Sequence, residues 1–111
     1  MQKSSDCKPP KEAAEQKAVI TWLRNRNYFV YEIPNHKEMN KNRGAISGMP
    51  DLQLALEGGK VIWIEMKRTK GGRLSEAQKK VHAHLEALGH TVILGIGAKD
   101  AVEKLRSLLE L

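Results

Sequence analysis

A single cysteine and five aromatic side chains (two Trp, two Tyr, one Phe) are found among the 111 residues of this chain. Cys7 has no internal disulfide partner, which points to a reducing compartment. The expected location is therefore the cytoplasm, that of a host cell if the source is viral. So few aromatics make stacking of successive bases along a single strand a poor fit. No apolar run approaches the roughly 18 residues that a membrane span needs. The polar stretch Met1–Pro10 does not read as a signal peptide. Negative charge is also scarce: thirteen Asp and Glu stand against nineteen Lys and Arg, giving +6 and a pI near 9.6. A polyanion is the first partner to consider.

What is present suits one domain. The chain is too short for two cores, and its 41% hydrophobic content is enough for one. Residues 1–11, which contain the Pro9-Pro10 pair, are expected to form a flexible arm, with residues 12–111 as the domain. From Lys11 to about Asn27 the pattern is helical, and Glu15, Val19, Trp22, Leu23 and Arg26 share a stripe. Tyr28–Ile33 reads as a strand ending at Pro34, followed by a long basic loop, residues 35–49. Strands are predicted at about 51–56 and 61–67, joined through Gly58-Gly59. Ser75 opens a helix that Gly89 stops. A strand at 91–96 and a helix at 98–109 complete the order α-β-β-β-α-β-α. This is an α/β chain with a mixed sheet flanked by helices.

Chemistry concentrates at Pro50-Asp51 and Glu65-Met66-Lys67. Strand side chains alternate, so Glu65 and Lys67 share a face while Ile62, Ile64 and Met66 take the other. Hairpin register decides where Asp51 falls. A two-residue Gly58-Gly59 turn sets Asp51 across from Met66. A three-residue loop, Glu57-Gly58-Gly59, sets it across from Glu65 and needs a left-handed residue at its third position, which Gly59 suits. The three-residue loop is predicted, with a bulge as the fallback. Two carboxylates about 4 Å apart repel by about 4 kcal/mol at an effective dielectric of 20. Lys67 offsets part of this. Glu15, facing inward from the first helix, adds a third carboxylate unless it is an ion-pair partner of Lys67 or Arg26. Three carboxylates beside one ammonium call for a cation, and oxygen-only ligands favour Mg²⁺ or Mn²⁺ over zinc.

Taken with the early Glu15-Gln16, the stretch Gly48-Met49-Pro50-Asp51-Leu52, Ile64-Glu65-Met66-Lys67, and Leu74-Ser75-Glu76-Ala77-Gln78 opening the next helix, the chain resembles the PD-(D/E)XK nucleases. Within that superfamily it resembles a stand-alone virus-type replication-repair nuclease (VRR-NUC) domain. The resemblance implies a restriction-endonuclease-like core. It implies that Asp51, Glu65 and the Met66 backbone carbonyl ligate a metal ion, that Glu15 completes or orients the site, and that Lys67 positions or deprotonates the attacking water. Gln78 has two readings that the residues leave open. Ser75-x-x-Gln78 fits a capping box, while the resemblance leans Gln78 toward the site. His82 and His84, two apart on a helix, do not form a metal pair, and His36 in the basic loop reads as exposed.

Basic residues flank these motifs: Lys37, Lys41 and Arg43 before Asp51, and Arg68, Lys70 and Arg73 after Lys67. They are placed to clamp phosphates, reading charge and shape more than base sequence. The expected activity is metal-dependent, structure-selective cleavage of branched DNA such as four-way junctions, and the resemblance implies a homodimer. Two other readings are a non-catalytic nucleic-acid-binding module, in which the acidic groups form structural ion pairs, and a restriction-like sequence-specific endonuclease. The chain has no evident base-reading element to support the latter.

Overall fold

The structure, a computed structural model, describes residues 10–34 and 44–111, apart from the side chains of residues 10 and 11. Its elements are α1 (Pro10–Arg24), β1 (Phe29–Glu32), β2 (Leu52–Ala55), a single turn at Glu57–Gly59, β3 (Val61–Lys67), α2 (Glu76–Ala87), β4 (Thr91–Ile96) and α3 (Ala98–Leu109). This is the predicted order. The helix of α1 begins at Pro10, whose fixed φ and missing N–H are tolerated in a first helical turn. Residues 1–9 of the expected arm and the basic residues Lys37, Lys41 and Arg43 lie outside the described residues, as does His36, whereas Pro10 and Lys11, expected in the arm, belong to α1.

The four strands form one sheet in the order β1-β2-β3-β4. The first three are antiparallel, while β4 runs parallel to β3. A parallel neighbour cannot be reached by a tight turn, so α2 serves as the crossover. Ile62–Met66 of β3 are all buried, as expected for a central strand covered on both faces. Ile62, Ile64 and Met66 join Leu52, Leu54 and Ile93 in a core sealed by Val19 and Leu23 of α1 and Ala101 and Leu105 of α3. Truncating a fully buried member such as Leu23 or Ile64 to Ala costs about 2–5 kcal/mol. Trp63 and Glu65 take the opposite face, under α2, whose buried residues are His82 and Leu85.

One expectation about α1 is corrected. Its buried line is Glu12, Gln16, Val19 and Leu23. Trp22 is only half-buried, with the Arg26 guanidinium 4.2 Å and that of Arg106 5.8 Å from its ring centroid. Arg26 is exposed because a cation stacked on an indole face keeps its charge in water.

Candidate active site

The hairpin adopts the three-residue connection. The Leu56 N–H donates to the Lys60 carbonyl at 2.8 Å, and Leu52 pairs with Ile64. Gly58 and Gly59 both sit at φ +75°, a region that costs a residue with a Cβ about 1–2 kcal/mol. Continuing this register places Asp51 opposite Glu65 and Pro50 opposite Met66. The Ile33 N–H donates to the Asp51 carbonyl at 2.9 Å, so the backbone of Asp51 is committed to β1.

Leu56–Lys60 is a hydrogen-bonded pair, and such pairs recur at every second position, through Leu54–Ile62 and Leu52–Ile64, which makes Pro50–Met66 the one that would follow. Pro50 has no N–H to offer the Met66 carbonyl. On the other half of the pair, Asp51 Oδ2 accepts the Met66 N–H at 2.7 Å. The Pro-Asp dipeptide thus ends the ladder and fixes a carboxylate at the Glu65–Met66 peptide.

Glu65 is wholly buried. Its Oε2 accepts from Gln78 Nε2 at 3.2 Å, and its Oε1 lies 3.1 Å from His82 Nε2. The two readings of Gln78 prove compatible. The Gln78 N–H donates to Ser75 Oγ at 3.1 Å and the Ser75 N–H donates to Gln78 Oε1 at 2.8 Å, a complete capping box, while the other end of the same amide reaches Glu65. Lys67, half-buried, shares the Glu65 face of β3. Burial lowers the His82 pKa; Glu86 and Asp51 pull it up and Lys67 pushes it down. His82 therefore senses the charges of both Asp51 and Lys67.

Glu15 is held by the start of α3. Its Oε1 accepts the Ala98 N–H at 2.6 Å, at the start of α3. The cap residue there, Gly97, has no side chain to supply, so the amides and positive dipole end of α3 hold the carboxylate. It is paired with neither Lys67 nor Arg26. Among the described residues no three His, Cys, Asp or Glu side chains gather as a metal-holding set, so the three-carboxylate cluster is not formed. Arg68, Lys70 and Arg73 are exposed just beyond Lys67.

Two buried polar residues are not singled out by the sequence pattern. His82 lies four residues after Gln78, and that spacing on one helix face is the signal that links it to Glu65. Glu12 is buried one turn before Gln16, whose Nε2 donates to Glu32 Oε2 at 3.0 Å. With Arg24 bonded to the Val30 carbonyl, α1 runs antiparallel to β1, which sets Glu12 toward the Asp51 end of the sheet.

The donor set of Asp51, Glu65 and the Met66 carbonyl consists of oxygen alone and fits a hard divalent cation, Mg²⁺ or Mn²⁺. A carboxylate at the start of one strand, facing Glu-x-Lys at the end of its neighbour on a sheet of this order, is the arrangement of PD-(D/E)XK nuclease folds. The chain belongs to the VRR-NUC domain family, whose model matches residues 32–94, more than half of it. "Putative nuclease p44" of Acyrthosiphon pisum secondary endosymbiont phage 1 is 45% identical over 47 residues, 42% of this chain and 50% of that protein. The match thus spans about half the length of that relative. A solved "VRR_NUC domain protein" shares the fold with a TM-score of 0.78 at 20% identity, over 95% of this chain and 93% of its own. A solved "VRR_NUC domain" does so at 0.70 and 23%, over 89% and 97%.

Proposed function

We propose that this nuclease-family chain is a divalent-metal-dependent endodeoxyribonuclease that hydrolyses phosphodiester bonds in branched DNA, four-way junctions among them, and that it works as a homodimer. The observation that carries the hydrolytic part is the strand register that sets Asp51 against Glu65 with Lys67 on the same face. Asp51, Glu65 and the Met66 carbonyl would hold Mg²⁺ or Mn²⁺. When bound, the ion places positive charge at phosphate oxygens and makes water more acidic.

The chain's own residues supply the rest. Water attacks phosphorus, the bond to one sugar oxygen breaks, and the leaving oxygen takes up a proton. The Lys67 ammonium orients the attacking water and offsets the charge that builds on the non-bridging oxygens. Arg68, Lys70 and Arg73 hold flanking phosphates, with Lys37, Lys41 and Arg43 assigned the same role. One domain carries one site and cuts one strand. A two-fold dimer carries two, which suits paired cuts in a branched duplex.

The test is incubation of the protein with linear, nicked, forked and four-way DNA, with and without Mg²⁺, beside Glu65→Gln and Lys67→Ala. Wild type is expected to cut the junction only with metal. Each variant is expected to bind DNA as wild type does and to cut at least about 100-fold more slowly. Wild type that binds DNA but never cuts it returns the chain to the binding-module reading. The mass of the active species in solution checks the dimer, and a strictly monomeric active enzyme removes that part.

A further inference from the structure

A carboxylate with no exposed surface, as at Glu65, must have its oxygens satisfied by the protein. Two partners come from one face of α2: Gln78 Nε2 to Oε2 at 3.2 Å, and His82 Nε2 to Oε1 at 3.1 Å. The orientation of the Gln78 amide is fixed, because its carbonyl end holds the Ser75 N–H. A carboxylate only accepts, so the His82 nitrogen facing it must carry the proton. The imidazole is itself buried and cannot swing out to water without opening the helix–sheet contact.

We propose that His82 is a positioning residue: through Nε2–H it fixes the second oxygen of Glu65, so that α2 presents this carboxylate in one orientation to the divalent cation and the scissile phosphate. The inference rests on the nuclease reading above. It goes beyond it by assigning the precision of the acidic site to a histidine about two turns past the helix cap. Removing a hydrogen-bond partner of a metal-ligating group typically costs 10–100-fold in metal affinity or activity.

Two variants of the full chain test it. His82→Phe keeps a ring of similar size and deletes the donor, whereas His82→Gln keeps an N–H of similar reach. For the Phe variant, Mn²⁺ affinity by calorimetry and kcat on junction DNA should each fall about 10–100-fold, with KM for the DNA unchanged. The Gln variant should recover most of both. In unmodified protein, long-range ¹H–¹⁵N spectra should show the His82 proton on Nε2. A folded Phe variant with wild-type Mn²⁺ affinity and kcat overturns the proposal and leaves the nuclease reading intact. So does a proton found on Nδ1 alone. Should the Phe variant not fold, the wild-type tautomer and the Mn²⁺ affinity of the Gln variant decide. Wild type that neither binds Mn²⁺ nor cuts DNA removes both readings together.

Discussion

At the start of β2, Pro50 cannot donate to the Met66 carbonyl and Asp51 captures the Met66 N–H on its side chain, so two adjacent residues decide how the ladder ends. Gly48 decides how closely that corner approaches α2. It sits at φ +94°, and a Cβ there would lie 2.6 Å from the backbone carbonyl group of Ala77. Gly48→Ala therefore forces either a strained backbone or a retreat of the α2 start that carries Gln78. The expected loss is about 2–4 kcal/mol, measured as a drop in the urea midpoint. Cleavage should fall further than stability alone explains; an unchanged midpoint would show that the corner has room to give. Which glutamate of α1 faces the Asp51 end was not legible. Glu12 and Glu15 precede Val19 by seven and four residues, and both spacings fall on its stripe. Only the tertiary position of the α3 amides separates them.

Elements were far more legible than contacts between them. The 61–67 and 91–96 strands and the 98–109 helix match their predicted bounds, because alternation, glycine stops and capping signals act locally. How the start of α3 is satisfied is a matter of tertiary structure. Glu15 reaches across from α1 to the Ala98 N–H, and Asp100 turns back to accept the Ile96 N–H at 2.9 Å. That hydrogen bond is the largest cause holding the Asp100 carboxyl below its ordinary 3.8; Lys104, 3.0 Å away, adds to it and burial opposes it. A depressed carboxyl pKa stabilises the fold in full above the unfolded value, and the gain is lost as pH falls through the lower folded value. Asp100→Asn should therefore trail wild type by a constant margin near neutrality. The margin should close as the pH falls below about 3.8. Urea midpoints at neutral and acidic pH check this, and a margin that persists in acid would mean that the charge contributes nothing.

For the molecule as a whole, strand order and charge combine into a polarity. Asp51 begins β2 and Lys67 ends β3, so antiparallel pairing brings the acidic pair, Lys67 and the exposed Arg68, Lys70 and Arg73 to one end of the sheet. The opposite end, with the Glu57–Gly59 turn and Lys60, lies the length of β3 away, about 23 Å for seven residues. This polarity was readable before the structure, since it follows from hairpin connectivity and the position of two short motifs. The depth at which Glu65 is buried was not, because it depends on where α2 packs. If the +6 charge acts as a diffuse field, every basic side chain should contribute alike to DNA binding. If phosphates are held at the Lys67 end, position must matter. Each neutralised phosphate adds about −0.9 to the slope of log K against log salt. Replacing Arg68, Lys70 and Arg73 with Ala should make that slope shallower by about 2–3 units, whereas Lys60→Ala should leave it unchanged. Filter binding between low and moderate salt distinguishes the two. Equal effects per charge from both ends would argue for the diffuse field and against a phosphate clamp around Lys67.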